Sequence, residues 1–588
     1  MTKRASIPVQ VLDPSELSGR NLGPLALVNP LLEKMDIRRI VNQHCPPDKR
    51  LEVSVGEVIH ALVANRLCSP EPLYQVGQWA EHSGAEFLLG VPATALNDDR
   101  LGRALDAVFA KRWNILADMA LHVSASFNVS LAKVHYDPTS FHFTGDYDET
   151  ADSPSFCPEV APFKIEVGRH ARAGDDIKEA QVGVNLANDG RGPVPFFYHS
   201  ADGSSNGHTA VAKNLQHLLK YVKPKRLMMI TDRGCFSYEY AISMVRKHKF
   251  DFISSVTWTD ELAQLYEQYK PEMKEASFLS IKEQKKRRLD PSQQTWERYS
   301  IGEIPYRISY MKKPEAKSKD TAKGKKRKAE VSMRARLIFV HSTADMKVCR
   351  KTRAKYTAKI KQGLEDIRHS VDNGYQKETG AVVKKVEALY GKKQARNYFT
   401  YQVRELTSKE LKSLPARRKG QRWPTLTFSY QYHPELAERD ARYDGLYAIS
   451  TNLPKKTHGT DAVFTAFKEQ HHIETAHHQW KAPIRLRPLF LKKVTRIESL
   501  ILVQFLALMA FYLLQRRYRL AKGISCRTTA ETLLKRFALS AIGLHYNEQS
   551  VQVTPFPLTQ PQEAIFRTLR LPYIQDQIKR LVTQPVQP

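Results

Sequence analysis

The sequence predicts an α/β protein built on a mixed sheet, with a helical N-terminal domain before the sheet and a large β-rich and helical insertion within it. Three observations support this fold class. Residues 1–125 carry helix starts and helical periodicity, residues 134–256 alternate strands with helices, and this alternation stops between Trp258 and Tyr443. Hydrophobic residues make up 42% of the 588 residues, which is enough for a large buried core.

The first 125 residues are predicted to be mainly helical. Ser54 followed by Glu57 forms a capping box ahead of the segment VIHALVANRL. The apolar face of this amphipathic helix is predicted to comprise Ile59, Leu62, Val63 and Leu67. Asn97 begins a second helix, DDRLGRALDAVFAKRW, and LADMALHVSASF a third. The region is interpreted either as a module that reads a DNA end or as a domain that serves only packing.

The next segments alternate strands and helices. VHYDPTSFHFTG (134–145), AQVGVNLAND (180–189) and VPFFYHSA (194–201) have strand composition, and Asp189–Pro193 forms a turn between the last two. The helix HTAVAKNLQHLLKYV, the strand RLMMI, the helix SYEYAISMVRKH and the strand FDFISSV follow. Antiparallel strands followed by right-handed strand–helix crossovers are the plan of a mixed α/β sheet.

The segment after Trp258 has a different composition. It contains β-like pieces (TWERYSIGEI, YRISYM, ARLIFVHS) and long charged helices between 345 and 412. Lys312–Lys328 has nine basic and two acidic residues in seventeen and is predicted to be a mobile loop. GLYAISTN then resumes as a strand, and helices are expected to fill the remainder. The predicted domains are a helical DNA-end-binding domain (1–125), the first part of the core (126–258), the insertion (259–443), the second part of the core (444–525) and a C-terminal helical region for dimerisation or a tail (526–588).

The charge balance indicates a polyanionic partner. Lys and Arg number 91 against 61 Asp and Glu, a net charge of +30, and the pI is near 9.7. Nucleic acid is the first partner to consider for so basic a protein. KVCRKTRAKYTAKIK (347–361) alone has seven basic residues and no acidic one, and Lys492, Lys493 and Arg496 belong to a second basic band.

Cysteine usage and hydropathy favour a cytoplasmic protein without structural zinc. The six cysteines are scattered with no CxxC motif, as expected for free thiols in a reducing compartment. The N-terminus has charge but no apolar segment of the kind found in signal peptides. Leu500–Leu514 is the most apolar stretch, but it is shorter than the ~20 residues of a membrane span and Gln504 interrupts it. It is therefore predicted to be a buried helix.

Three acidic residues are candidates for a metal site. Asp137 lies in the first strand of the core, Asp232 at the carboxyl end of RLMMIT, and Glu474 on the helix FTAFKEQHHIETAHHQWK. Carboxylates are the ligands that Mg²⁺ prefers, and two such ions can stabilise both oxygens of a phosphoryl displacement. Taken singly, each acid also has an ordinary explanation. Asp137 can start a turn, Asp232 can end a strand, and Glu474 can be a solvated helix residue.

The spacing around Glu474 resembles that of a known family. Asp–Asp–Glu transposases of the insertion-sequence-four superfamily, and most closely the insertion-sequence-1634 family, carry a Tyr-x2-Arg-x3-Glu-x6-Lys motif. Here the same positions are occupied by Phe467, Gln470, Glu474 and Lys481. The segment ITDRGCFS resembles the family's segment around the second acid, and HYDPTSFHF resembles the segment around the first acid. Two further segments, DRLGRALD and DGLYAISTN, also resemble family segments. Offsets of −7, −4 and +7 are near whole helical turns, so all four side chains are expected on one helix face.

The resemblance implies an RNase H-like core and cut-and-paste transposition. Asp137, Asp232 and Glu474 would be the catalytic residues and would ligate two Mg²⁺ ions, with Mn²⁺ as a substitute. The partners would be the terminal inverted repeats and target DNA, and the chain would act as a homodimer in the synaptic complex within the bacterial cytoplasm. The implied or adjacent DNA-binding residues are Lys481, Gln470, Arg485, Arg487 and Lys468.

Two departures from the motif affect the predicted DNA contacts. Phe467 lacks the hydroxyl group of the family's Tyr, and Gln470 lacks the charge of its Arg, so these contacts pass to neighbouring residues or weaken. A family tryptophan stacks on a flipped base, and Trp258, Trp296 and Trp423 are all candidates for that role. A nuclease without strand transfer and an inactive, transposase-derived DNA-binding protein remain as alternatives.

Four histidines surround Glu474, namely His471, His472, His477 and His478. They do not form an HExxH motif, so zinc is not predicted. Partial protonation beside a phosphate backbone is predicted instead.

Overall fold

A computed structural model of the chain describes residues 17–48, 50–143, 147, 161–168, 177–279, 283–284, 297–312, 329–391, 394–415, 422–481, 491–523, 525–547 and 550–583. Contacts among these residues define two compact units. The first lies within 1–254, 310–312 and 466–588, and the second within 255–309 and 313–465.

The first unit begins with a helical region. Its elements are β1 (Leu17–Asn21), α1 (Leu25–Met35), α2 (Ile37–His44), α3 (Val55–Cys68), α4 (Val76–Ser83), α5 (Glu86–Leu89), α6 (Asp98–Phe109) and α7 (Arg112–Ser126). The capping box of Ser54 and Glu57 and the Asn97 cap, which accepts from the Arg100 N–H, are confirmed. The amphipathic character predicted for α3 is wrong, because its polar residues His60, Asn65 and Arg66 are buried as well.

A mixed sheet follows, and its strands agree with the predicted ones. The elements are β2 (Lys133–Phe143), β3 (Glu166–Val167), β4 (Lys178–Ala187), β5 (Val194–Asp202), α8 (Gly207–His217), β6 (Met228–Thr231), α9 (Tyr238–His248) and β7 (Asp251–Val256). β4 pairs antiparallel with both β2 and β5, while β6 pairs parallel with β2 and with β7. The strand order is therefore β5-β4-β2-β6-β7. β4 is buried along nearly its whole length, as expected for a central strand covered on both faces.

A long apolar helix packs against this sheet. Within the first unit the chain continues as α16 (His471–Lys481) and α17 (Val494–Lys522), and α17 is buried on all sides from Ile497 to Leu514. By length and composition α17 could cross a membrane, but its most apolar stretch is wholly buried inside the protein, which fits the core helix of a soluble protein. The prediction of a buried helix at Leu500–Leu514 is confirmed.

Two buried ion pairs fix α17 against the rest of the first unit. Arg112 Nε lies 3.1 Å from Glu498 Oε1, and both side chains are almost wholly buried. Near the other end, both terminal nitrogens of Arg516 donate to Asp189 at 2.7 Å. Pairing with the opposite charge offsets part of the cost of burying these groups.

The C-terminal region is not entirely helical. It contains α18 (Ala530–Arg536), β14 (Ala541–Asn547), β15 (Ser550–Pro555), α19 (Gln560–Leu569) and α20 (Ile574–Thr583). β14 pairs antiparallel with β15 and with the N-terminal strand β1. The prediction that helices fill the region after GLYAISTN is therefore wrong, because a β-hairpin interrupts them and joins the two ends of the chain in one small sheet.

The second unit combines strands with a helical module. Its elements are α10 (Asp260–Tyr269), β8 (Lys274–Glu275), β9 (Tyr299–Lys312), β10 (Ala329–Ser342), α11 (Thr343–Asp372), α12 (Thr379–Tyr390), β11 (Phe399–Glu405), α13 (Ser408–Lys412), β12 (Leu426–Tyr432), α14 (Pro434–Ala441), β13 (Leu446–Thr451) and α15 (Thr460–Lys468), the last of which ends in the first unit. β10 pairs antiparallel with β13, and residues 343–445 lie between them in sequence. This module has a hydrophobic core of its own, formed by α11, α12, α14 and the β11–β12 pair. The charged helices were predicted, but the β11–β12 pair among them was not.

Candidate metal centre

The first two candidate acids lie side by side on neighbouring parallel strands. The last paired residues of β2 and β6 are His135 and Ile230. Asp137 and Asp232 each follow two residues later, Asp137 within β2 and Asp232 directly after β6 ends. Because ligands of α/β sheets bind at the carboxyl ends of parallel strands, this register brings both carboxylates to the edge where a ligand is expected.

The two carboxylates are close enough to share a cation. Oxygens of Asp137 and Asp232 and the sulfur of Cys235 all lie within 4.8 Å of one another. The turn after β6 orients Asp232, whose Oδ1 accepts a 2.8 Å hydrogen bond from the Gly234 N–H. Cys235 is buried and was not singled out by the sequence analysis, although its position three residues after Asp232 in the same turn was visible.

The site without a cation is electrostatically unfavourable for Asp137. Burial, followed by repulsion from Asp232 and Glu474, raises the pKa of Asp137 to about 7, whereas the charge of Lys481 acts in the opposite direction. Burial and the same two aspartates raise the pKa of the Cys235 thiol, so it stays protonated at neutral pH. The anionic donors of this group are therefore oxygens, which suit a hard cation such as Mg²⁺.

Glu474 does not belong to the 4.8 Å group formed by Asp137, Asp232 and Cys235. It is in the first turn of α16 with an exposed side chain. Its charge nevertheless contributes to the raised pKa of Asp137. The structure thus brings Asp137 and Asp232 together and places Glu474 within electrostatic range of Asp137.

One face of β2 holds the segment that contains Glu474. Residues 133, 135, 137 and 139 alternate along the strand and therefore point to the same side. Lys133 Nζ donates to Glu469 Oε2 at 2.6 Å, and Asn188 Nδ2 donates to the same oxygen at 3.0 Å. This carboxylate fixes the start of the Glu474 segment to the sheet.

Gln470 forms the second contact along this face. Its Nε2 donates to the Tyr136 carbonyl at 3.3 Å, and its Oε1 lies 2.9 Å from His135 Nδ1. Because a side-chain amide oxygen only accepts, His135 Nδ1 carries the proton in this arrangement. The Gln470 side chain, predicted to contact DNA, is therefore engaged with β2.

The last two contacts lie beside the acids. His477 Nδ1 is 3.6 Å from Asp137 Oδ2. Lys481 Nζ donates to Thr139 Oγ1 at 2.6 Å and lies 5.5 Å from the centre of the Phe141 ring. Lys481 is two turns after Glu474, as predicted, and its charge reaches Asp137.

The predicted continuous helix through Glu474 is wrong. α15 ends at Lys468 and α16 begins at His471, so the intervening Glu469 and Gln470 form a turn. Phe467 belongs to α15 and Glu474 to α16. Phe467 and Gln470, at offsets of −7 and −4, therefore do not lie on the same helix as Glu474. Lys481, at an offset of +7, does.

The prediction of partly protonated histidines is wrong for two of the four. Burial is the largest cause that lowers the pKa of His472 and of His477 to about 3, and for His477 the charge of Lys481 adds to it. Both rings are therefore neutral at physiological pH. Hence His477 cannot form an ion pair with Asp137 under those conditions.

The remaining predicted DNA-binding residues are only partly described. Lys468 ends α15, and its carbonyl lies 2.9 Å from His471 Nδ1. Arg485 and Arg487 lie outside the described residues, as do Trp296 and nearly all of the predicted 312–328 loop. Trp258 packs against Phe339 and Tyr443, and the Trp423 side chain is about half exposed.

Comparison with known families finds a match in the helical N-terminal region. A family described as a domain of unknown function (DUF4277) matches residues 17–120. No curated protein matches the chain. The matched segment covers β1 to α6 and most of α7, and it does not include the candidate acids.

Proposed function

We propose that the protein is a DNA transposase that cleaves and joins DNA strands with divalent metal ions held by Asp137, Asp232 and Glu474. The observation that carries this proposal is the approach of the Asp137 and Asp232 carboxylates, which come from residues far apart in sequence. Further support comes from the strand order β5-β4-β2-β6-β7, which agrees with the RNase H-like core that the family resemblance implies. Residues 259–443 correspond to the proposed insertion.

The donor set fits Mg²⁺. Burial and neighbouring carboxylates raise the pKa of Asp137 to about 7 although the charge of Lys481 lowers it, and a divalent cation would supply further compensating positive charge. Divalent ions bound by these residues would supply activation of the attacking oxygen and stabilisation of the leaving oxygen in a phosphodiester displacement. Asp137 and Asp232 would hold them from the sheet, and Glu474 from the exposed side of α16.

The other residues of the site would orient the acids and the DNA. Glu469 and Gln470 hold the start of α16 against β2. Lys481, which already donates to Thr139, is proposed to contact a phosphate of the DNA backbone near the cleaved end. Lys468, Arg485 and Arg487 remain proposed DNA contacts. For Gln470 we propose a positioning role instead, because both ends of its amide are engaged with β2.

A cleavage assay tests the proposal directly. DNA containing the ends of the element, recognised as inverted repeats flanking the gene, is incubated with Mg²⁺ and the protein or its Glu474→Gln variant. We expect cleavage to fall by about two orders of magnitude or more, because one metal-binding carboxylate is lost. Glu81→Gln, which changes an exposed acid on α4, is the matched control and should cleave normally. Full activity of Glu474→Gln would remove the proposed role of Glu474.

The joining step distinguishes a transposase from a nuclease on the same fold. A labelled donor end is cleaved in the presence of a supercoiled plasmid, and joined products are measured. A transposase transfers the free 3′-hydroxyl to the plasmid, whereas a nuclease releases the cut end only. An inactive DNA-binding descendant would do neither and would still bind the end sequence.

A further inference from the structure

A basic cavity of about 310 Å³ lies in the first unit, far in sequence from the candidate acids. α1 and α2 form one wall, the C-terminal part of α17 another, and the turn between α19 and α20 the third. Pocket volumes near 300 Å³ are at the lower end of the range for small-molecule sites. The cavity can therefore accept a small ligand or one end of a larger one.

The charges around this cavity do not balance. Its lining includes four cationic side chains, Lys34, Arg38, Arg517 and Arg570, and a single carboxylate, Glu33. Arg38 Nη2 and Glu33 Oε1 lie 3.3 Å apart and compensate each other. Three positive charges thus remain without a counter-charge in the lining.

Arg517 is the most constrained of these cations. Its Nη2 donates to the Leu569 carbonyl at 3.1 Å, and within the part of the chain that the structure describes no carboxylate forms an ion pair with it. Burial lowers the pKa of Arg517. Burial and then the charge of Arg517 lower the pKa of Lys34. The protein therefore holds two cations close together in a partly desolvated place, an arrangement that an anion would stabilise.

Two polar atoms of the lining also lack partners. Gln577 is only 6% exposed. Its Nε2 donates to the Ala26 and Pro572 carbonyls at 3.0 Å, whereas its Oε1 has no partner among the described residues. The buried Arg38 Nε likewise has none there. Buried polar atoms are normally hydrogen-bonded, so the side chains of Gln577 and Arg38, which both line the cavity, keep unused hydrogen-bonding capacity.

We propose that this cavity binds a terminal phosphate group, carried by a free nucleotide-sized compound or by the 5′ end of a DNA strand. Guanidinium groups bind phosphate through paired hydrogen bonds, and the excess of three positive charges suits a group with two negative ones. This inference does not rest on the proposed transposase activity.

Binding of pyrophosphate to the full chain in EDTA tests the proposal, because without divalent ions the acidic site cannot bind the probe through a metal. Calorimetry would compare the protein with Arg517→Gln, Lys34→Gln and the control Arg39→Gln. Arg39 is an exposed neighbour that does not line the cavity. Each of the three variants removes one positive charge, so Arg39→Gln controls for the change in net charge. We expect about tenfold weaker binding for Arg517→Gln and for Lys34→Gln, and less than about a twofold change for Arg39→Gln.

The two sources of the phosphate are then separated with short oligonucleotides. A higher affinity for a 5′-phosphorylated than for a 5′-hydroxyl strand, lost in Lys34→Gln, assigns the site to a DNA end. Equal affinities for the two strands, with pyrophosphate still bound, assign it to a free phosphorylated compound. The proposal would be overturned if all three variants weakened pyrophosphate binding equally. It would also be overturned if neither Arg517→Gln nor Lys34→Gln weakened it. Lys34 lies on the surface, so its variant should fold even if Arg517→Gln does not.

Discussion

At Asp137 the folded protein opposes ionisation. The pKa of this carboxyl group rises from 3.8 to about 7, first because it is buried and then because Asp232 and Glu474 repel its charge. Between these two pH values the folded state therefore holds a proton that the unfolded state releases. It follows that the metal-free protein loses stability as the pH rises from about 4 to about 7.

Replacing this carboxylate should stabilise the metal-free protein. In EDTA at pH 8, we expect Asp137→Asn to raise the free energy of unfolding by on the order of 1–3 kcal/mol, below the upper bound set by ~1.36 kcal/mol per pKa unit. At pH 4 the gain should nearly vanish, because Asp137 is then largely protonated. Urea unfolding at both pH values measures it. Asp99→Asn, at an exposed position of α6, is the control. A gain of the same size at both pH values would contradict the explanation.

Adding metal should reverse the order of stability. A cation that binds only the folded state stabilises it in proportion to the logarithm of its concentration over Kd. We therefore expect millimolar Mg²⁺ or Mn²⁺ to raise the Tm of the wild-type protein by several degrees and to have little effect on Asp137→Asn or Asp232→Asn. Thermal unfolding with and without the ion measures this. An equal shift in all three proteins would mean that the ion binds elsewhere.

At the scale of elements, the turn between α15 and α16 determines where Glu474 lies. Glu469 is bound by Lys133 and Asn188, and Gln470 by His135 and the Tyr136 carbonyl. Neither residue ligates the proposed metal. Both are positioning residues, because they hold the first turn of α16 against the strand that carries Asp137.

Loss of these contacts should affect the rate more than DNA binding. For Glu469→Ala we expect kcat of cleavage to fall by about tenfold, with KM for end DNA changed by less than about twofold, since a small displacement of a metal-binding group is costly. Glu469→Gln, which can still accept from Lys133, should recover part of the rate. The control Glu435→Ala changes an exposed residue of α14. A rise in KM without loss of kcat would indicate a DNA contact instead.

The same turn explains which elements could be predicted from the sequence. Strands β2, β4, β5, β6 and β7 are rich in β-branched, aromatic and other apolar residues and lie between turn residues, so composition was sufficient to find them. The break at Glu469–Gln470 was not visible, because both residues favour helices and the residues that bind them, on β2 and at Asn188, are distant in sequence. The β14–β15 hairpin was missed for a similar reason, since its short strands are stabilised by pairing with β1 at the other end of the chain.

The candidate site was predictable to a different extent. The sequence places Asp137 within one strand and Asp232 at the carboxyl end of another, and the structure brings the two carboxylates together. Cys235 and His477 were not identified as neighbours of Asp137, because this proximity depends on the turn after β6 and on the approach of α16 to β2. Charged residues gave the least information, since the sequence cannot distinguish Arg353, which donates to Asp444 at 2.9 Å, from exposed lysines in the same segment.

At the scale of the whole molecule, the net charge of +30 predicts binding to DNA that depends strongly on salt. The first half of α11 is one place where this charge is concentrated. Lys351, Lys355 and Lys359 are exposed there, four residues apart and thus on one side of the helix. Arg353 is half-buried and bound to Asp444, so it anchors the helix and leaves these lysines to face solvent.

The three lysines should contact phosphates together. We expect the triple variant Lys351→Gln, Lys355→Gln, Lys359→Gln to reduce the slope of log affinity against log salt concentration by about 3, close to one counterion per contact. Fluorescence anisotropy with duplex DNA from 50 to 200 mM salt measures the slope. A control triple of exposed lysines in the same unit, Lys384, Lys385 and Lys409, removes the same charge. If both triples reduce the slope equally, net charge alone attracts DNA. A selective effect of the α11 triple would instead locate a DNA-binding surface on this helix.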